Sequence, residues 1–350
     1  MSKEETKRTE LSELGEFGLI RELSKSVKLS RKSSVKGIGD DAAILKWSSK
    51  KNVVVTTDML TEGVHFNLAY CPLKHLGYKA VAVNVSDIYA MGAIPTHITV
   101  SVALSNRFSL EAIKELYEGI NLACANYGVD LIGGDTTSSS SGLVMSITAL
   151  GETDAAPIYR SEAKEYDLLC VSGDLGAAYV GLQILERENA VFLAGKGSQP
   201  DLGKYPYVLE RQLKPEPRKD IIEYFKKEGI VPSAMIDISD GLASEIMHIC
   251  EQSNVGCTIY EEKLPIDQET FSVANELNLS PTICALNGGE DYELLFTISQ
   301  KEYDKIKDYK GVTIIGHITD QNSGANMVTA GDTVIPLTAQ GWDAFNNKPE

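Results

Sequence analysis

Cysteine is scarce and carries no pattern. The six cysteines (Cys71, Cys124, Cys170, Cys250, Cys257 and Cys284) form no C-x-x-C pair and sit mostly in apolar surroundings. That excludes a zinc site or a disulfide framework and leaves buried, reduced thiols in a cytoplasmic protein as the expectation. Basic residues are also short: 33 lysines and arginines stand against 49 acids, a net charge of −16. Such a surface repels nucleic acid and anionic membrane, so no nucleic-acid or membrane partner is expected, and an anionic ligand would have to be met through cations. Apolar runs of bilayer length are missing, and the polar start MSKEETKRTE has no secretory character. Residues 1–12 are expected to be solvated and disordered. The phosphate-binding devices of the common ATP folds are absent as well. There is no G-x-x-x-x-G-K-[ST], AGKGSQ around Lys196 lacks its first glycine, and no H-R-D or D-F-G element occurs. The five histidines show no H-E-x-x-H pairing, D-I-S-D-G lacks the spacing of a calcium loop, and no fixed-period repeat is visible.

What is present is a chain long enough for two domains, with 43% hydrophobic residues to build their cores. Strand-like and helix-like segments alternate. Val53 to Asp58 reads as a strand ending in an acid, and Leu73 to Met91 as a helix apolar on every face and therefore buried. Thr96 to Leu104 reads as a strand, and Ser109 caps a helix that runs to Tyr127 and stops at Gly128. Val129 to Ile132 and Leu143 to Leu150 are further strands, separated by the polar stretch GGDTTSSSSG. The proline-containing stretch from Thr153 to Tyr166 is the expected boundary, giving domains at 13–153 and 154–350. Beyond it, Leu168 to Val171 and Ala234 to Ile238 are strands leading through SGDLG and SDG turns into helices, while Tyr292 to Ile298 and Val312 to Ile318 complete a second sheet. The mixture of hairpin and crossover spacings predicts α+β layers in each half rather than one doubly wound sheet.

The acids fall where loops gather at a sheet edge. Asp58 and Asp135 are expected at strand ends, Asp237 and Asp240 flank a strand-to-helix turn, and Asp40-Asp41 sit on the glycine turn GIGDDAA. Any one of them could be an ordinary turn or cap residue. Asp87 differs because it lies in KAVAVNVSDIYAMGA, a helix too apolar to be exposed. A buried carboxylate needs a partner, and either a distant lysine or arginine or a bound cation would serve. The spacing G-x-G-x-x-A in GIGDDAA imitates a dinucleotide fingerprint, but SRKSSVK before it is no buried strand, and two carboxylates would oppose a pyrophosphate. Hard oxygen ligands gathered around phosphate are instead what magnesium uses.

Taken in order, GEFGLI (15–20), GIGDDAAIL (37–45), TTDMLTEGVHF (56–66), YKAVAVNVSDIYAMGA (78–93), LIGGDTT (131–137), DISDGL (237–242), GGEDYELLF (288–296) and GWDAF (341–345) resemble the thiamine-monophosphate kinase family, in the superfamily of aminoimidazole ribonucleotide synthetase and selenophosphate synthetase. The resemblance implies ATP-dependent phosphorylation of thiamine monophosphate by direct, magnesium-assisted transfer. It implies a cluster of magnesium ions held by Asp41, Thr56, Thr57, Asp58, Asp87, Asp135 and Asp237, with a further ion on Asp240. Asp41, Asp58, Asp87 and Asp135 would carry catalysis. Tyr117, Gly134, Asp135, Arg160 and Ser239 would contact ATP, and His65, Glu290 and Trp342 thiamine monophosphate. Tyr117 shares a helical face with Ile113 and Ile120, so core packing is its alternative role. Trp342 could stack on a cationic ring or pin the tail. The implied fold is a two-domain α+β protein: an N-terminal sheet domain forming a barrel-like interface in a homodimer, and a C-terminal α+β domain completing the substrate cleft. After Arg160 the chain reads SEAKEYD where the family has G-A-K/R-P-G-D. Three rival readings are an amide-activating relative, a non-catalytic metal-binding module and a nicotinamide oxidoreductase.

Overall fold

The computed structural model describes residues 34–36, 39–46, 51–195 and 201–340. Trp342, the motifs at 15–20 and 341–345, and Gly37-Ile38 lie outside the described residues.

The first sheet is assembled from β1 (Ser34–Lys36), β2 (Ala43–Leu45), β3 (Asn52–Thr61), β4 (Ile94–Leu104), β5 (Asp130–Ser138) and β6 (Leu143–Thr153) in the order β1-β2-β3-β6-β4-β5. All its pairs are antiparallel except β4 with β5. In β6 the alternation is complete: Leu143, Met145, Ile147 and Ala149 are buried while Val144, Ser146, Thr148 and Leu150 face the other way. One face of the sheet is therefore core. Two helices lie on it, α1 (Leu73–Ala90) and α2 (Leu110–Tyr127). The side chain of Ser109 accepts from the N–H of Ala112 at 3.3 Å, and Gly128 closes α2 in the left-handed region at φ 69°. The helices cross at backbone distance through Gly77 and Gly119, where an added Cβ would stand 2.0 Å from Leu116 O and 1.9 Å from Lys74 O.

The second sheet contains β7 (Leu168–Ser172), β8 (Ala234–Asp237), β9 (Val255–Tyr260), β10 (Leu294–Ile298), β11 (Val312–Asp320), β12 (Ala325–Val328) and β13 (Val334–Pro336), ordered β13-β12-β9-β11-β7-β10-β8. Around it pack α3 (Ala177–Leu193), α4 (Pro206–Leu213), α5 (Lys219–Glu228), α6 (Leu242–Ser253), α7 (Gln268–Glu276), α8 (Pro281–Asn287) and the single turn α9 (Tyr303–Ile306). The architecture is α+β with two mixed sheets, as the spacings predict. Among the described residues no helix is long and apolar enough to cross a membrane. All six cysteines are buried free thiols.

Helix α1 explains how the halves meet. It touches β3, β4 and β6 of the first sheet, α2 on another side, and β8 of the second sheet. A helix enclosed on so many sides must be apolar all round. Leu76, Val81, Val85 and Ile88 are fully buried, each contributing about 1.5–3 kcal/mol. The core around α1 runs on through Cys170, Phe225 and Phe296 of the second half.

Two strand ends differ from the sequence reading. Asp58 lies inside β3, which continues to Thr61, and Asp135 lies inside β5, which runs from Asp130 to Ser138 through the stretch expected to be a loop. Pairing along the whole of β6 and β4 extends both strands past what local β-propensity would support.

Candidate active site

Four elements bring four carboxylates together. Asp41 comes from the turn before β2, Asp58 from β3, Asp87 from α1 and Asp237 from the end of β8. One carboxylate oxygen each of Asp41, Asp87 and Asp237 lies within 4.8 Å of the others. At an effective dielectric constant near 20, unit charges at that separation repel by roughly 3 kcal/mol per pair. Burial lifts the Asp41, Asp87 and Asp237 carboxyls above the usual range, and neighbouring acids push Asp41 and Asp87 further. Burial, reinforced by the charge of Asp237, pushes Asp58 up to about 7.

The acids are held by polar groups that neutralise nothing. Thr56 Oγ1 donates to Asp87 Oδ2 at 2.6 Å and Ser86 Oγ to Asp237 Oδ2 at 2.6 Å. The Asp58 N–H donates to Asn84 Oδ1 at 3.1 Å. The nearby cation is Arg160, whose guanidinium pairs with Asp41 and, through Nε at 3.4 Å, with Asp40. Asp40 is also paired with Lys36. The two acids of GIGDDAA thus divide their work: Asp40 is tied to basic side chains, whereas Asp41 reaches the cluster. Asp41 Oδ2 is buried without a hydrogen-bond partner among the described residues. Among the described residues, one guanidinium against four carboxylates leaves a strong deficit of positive charge. An all-oxygen donor set with an orphaned buried oxygen fits a hard divalent cation such as magnesium. The strand before the turn, β1, leaves Val35 exposed and is not the buried strand of a dinucleotide fold.

The cluster borders a cavity of about 1040 Å³, lined by Asp58, His65, Lys79, Asp87, Asp237, Ser239, Asp240 and Glu290, with Phe66, Tyr70, Tyr179 and Tyr292 supplying aromatic wall. That is the upper end of the roughly 300–1,000 Å³ usual for a small-molecule site. His65 Nδ1 accepts the Thr61 N–H at 3.0 Å, which in the neutral ring leaves the proton on Nε2 as a donor. The turns DISDG and GGEDY are stitched together: the N–H of Glu290 donates to Ser239 O at 2.7 Å and that of Tyr292 to Ile238 O at 2.9 Å. Gly289, at φ 69°, lies so close to this turn that a Cβ would be 2.6 Å from Ser239 O. Asp240 is anchored through its N–H to the buried Glu245 Oε1 at 3.1 Å.

Several expected site residues stand elsewhere. Strand alternation turns Thr57 away from Thr56 and Asp58, and its hydroxyl donates to Ile147 O at 3.0 Å, so it does not join the cluster. Asp135 and Gly134 are exposed on β5, three strands from β3 in the sheet order, a separation of about 14 Å. Tyr117 is half-buried against the core of the first half and is not part of the cavity wall. Conversely, Lys79, Asn84 and Ser86, which carry no motif of their own, sit in the same apolar helix as Asp87. Gln212 and Glu245, far along the chain, gave no local signal.

The fold and site define a class: residues 39–153 match the family described as AIR synthase related protein, N-terminal domain. The thiamine-monophosphate kinase of Bacillus subtilis (strain 168) is 34% identical over 341 residues, covering 95% of this chain and all of the relative. Among solved structures, AaThiL complexed with AMPPCP and TMP superposes with a TM-score of 0.81 at 31% identity, covering 97% of this chain and 99% of that one. Thiamine monophosphate kinase from Aquifex aeolicus gives 0.74 at 29% identity, over 94% of this chain and 100% of that one. The chain belongs to the thiamine-monophosphate kinase family.

Proposed function

We propose that this protein transfers the γ-phosphoryl group of ATP directly to the phosphate of thiamine monophosphate, giving thiamine diphosphate and ADP. The observation that carries the reading is the clustering of Asp41 with Asp87 and Asp237, the latter two lining, with Asp58, a cavity large enough for a nucleotide and a second small molecule. The relative complexed with AMPPCP and TMP supports the choice of substrates. The accepting phosphate is already an oxyanion near neutral pH, since its second pKa is about 6, and no general base is required. The difficulty is bringing two polyanions into line.

Asp41, Asp87 and Asp237, with Asp58 beside them, would hold magnesium, and Asp240 a further ion. Bound there, magnesium would supply positive charge between the two anions and polarise the phosphoryl oxygens. Thr56 and Ser86 orient the carboxylates of Asp87 and Asp237, and Asn84 holds the backbone N–H of Asp58. Arg160, drawn off Asp41, would meet nucleotide phosphate, as would Ser239 on the cavity wall. His65 would donate from Nε2 to the substrate phosphate, and Glu290 would accept from its nitrogen ring.

A homodimer belongs to the same reading. The exposed edge of β5 and the outward face of the sheet, including Met59 and Ile132, support it. At three strands from Asp58, the magnesium role for Asp135 requires a second copy to present it, and Gly134 would accompany it. The division into domains at 13–153 and 154–350, with ATP between them, and a cytoplasmic location complete the proposal. Incubation with ATP, Mg²⁺ and thiamine monophosphate, followed by chromatography, should yield thiamine diphosphate at the rate ADP appears. ADP formation with no thiamine diphosphate would overturn it.

A further inference from the structure

Helix α1 carries a single ammonium into the wall of the cavity. The Lys79 side chain is 4% exposed; Nζ lies 2.8 Å from Glu290 Oε1 and donates to Gln212 O at 3.1 Å. Gln212 Nε2 donates to the other oxygen, Glu290 Oε2, at 2.8 Å. A carboxylate accepts only, so the orientation of the amide is fixed by that bond. Glu290 itself is held in the left-handed region at φ 60°. A non-glycine residue stays in such a conformation only where its surroundings over-determine it. Here they do so from both halves of the chain, Lys79 from α1 and Gln212 from α4.

An unpaired carboxylate on a cavity wall would serve as counter-ion to a cationic ring. Glu290 is not unpaired. With an ammonium on one oxygen, the local charge is close to cancelled, and what the carboxylate retains is capacity to accept further hydrogen bonds. Resting on the thiamine-phosphate reading, we propose that Lys79 is a positioning residue that fixes Glu290 as a hydrogen-bond acceptor for N–H groups of the substrate's nitrogen ring, not as a counter-ion to its positive charge.

The test compares Lys79→Met, Lys79→Arg, Glu290→Gln and the double variant Lys79→Met/Glu290→Gln. Lys79→Met should raise KM for thiamine monophosphate about tenfold or more while leaving KM for ATP within about twofold. Lys79→Arg should recover most of the loss. The double variant should be no worse than Glu290→Gln alone, because removing both partners leaves no uncompensated charge. A neutral-ring analogue of the substrate should inhibit the wild type about as well as a cationic one and inhibit Lys79→Met less well. Equal rises in both KM values, a fall in kcat with KM unchanged, or additive effects in the double variant would overturn the proposal. Should Lys79→Met not fold, a double variant with native-like thermal unfolding supports the pairing, and one equally unfolded contradicts it. A wild type inert toward thiamine monophosphate would sink the parent reading alone, since the double-mutant cycle on thermal unfolding still reads the pair.

Discussion

Asp58 illustrates how one residue can serve function against stability. Burial and the charge of Asp237 push its carboxyl up to about 7 from an ordinary 3.8. A folded-state pKa above the unfolded one means that the folded form holds its proton more tightly. The associated stability is complete below the unfolded value and is lost as pH rises through the folded one. With metal chelated by EDTA, thermal stability should therefore fall between about pH 4 and pH 7, and Mg²⁺ should flatten the decline by rewarding the ionised form. Asp58→Asn removes the titrating group. In EDTA at pH 8 it should melt higher than the wild type by roughly 2 °C, while turnover drops about a hundredfold or more. Differential scanning calorimetry and a steady-state assay check both halves; an unchanged rate with Mg²⁺ would contradict the role. At this scale the sequence was legible where a residue offended its surroundings. Asp87 stood out as an acid in an apolar helix, whereas Lys79 in the same helix carried no such signal. Its partner Glu290 lies in the other half of the chain, beyond any periodicity a local window can sense.

At the scale of elements, capped helix ends and most strands were readable, and the ends of β3 and β5 were not. Ser109 and Gly128 mark the limits of α2 by local hydrogen bonding and backbone conformation, which the residues themselves determine. The ends of β3 and β5 depend on β6 and β4, which are distant in sequence. GGDTTS looks like loop because glycine, aspartate and serine have weak strand preference, and only pairing with β6 carries β3 on from Asp58 to Thr61. That error moved Asp58 and Asp135 from strand ends to strand interiors. Thr57 faces away from its neighbours because side chains alternate along a strand, and that alternation was already legible in Val53 to Asp58. The buried character of α1 was legible, but not its cause. An apolar circumference says that a helix is enclosed, and only the assembled fold shows it lying between two sheets and carrying Asp87 to β8.

For the molecule as a whole, a net charge of −16 makes the approach of ATP and a phosphorylated substrate unfavourable until cations intervene. Asp135 is exposed on the edge strand, and the proposal that it holds magnesium would need a second copy to present it. Asp58→Asn and Asp135→Asn should each be inactive alone. Mixed at equal ratio after subunit exchange, half the dimers are hybrids with one intact site of two, restoring about a quarter of wild-type activity. No recovery in a mixture shown by native mass spectrometry to contain hybrids would place Asp135 in its own chain's chemistry or in none. The central claim, that clustered aspartates hold divalent cations between two anions, is reached most directly by calorimetric titration of Mg²⁺ in the presence of a non-hydrolysable ATP analogue. The wild type should bind Mg²⁺ beyond the ion carried by the nucleotide, and Asp87→Asn should lose that extra binding. Identical titrations for the two proteins would contradict it.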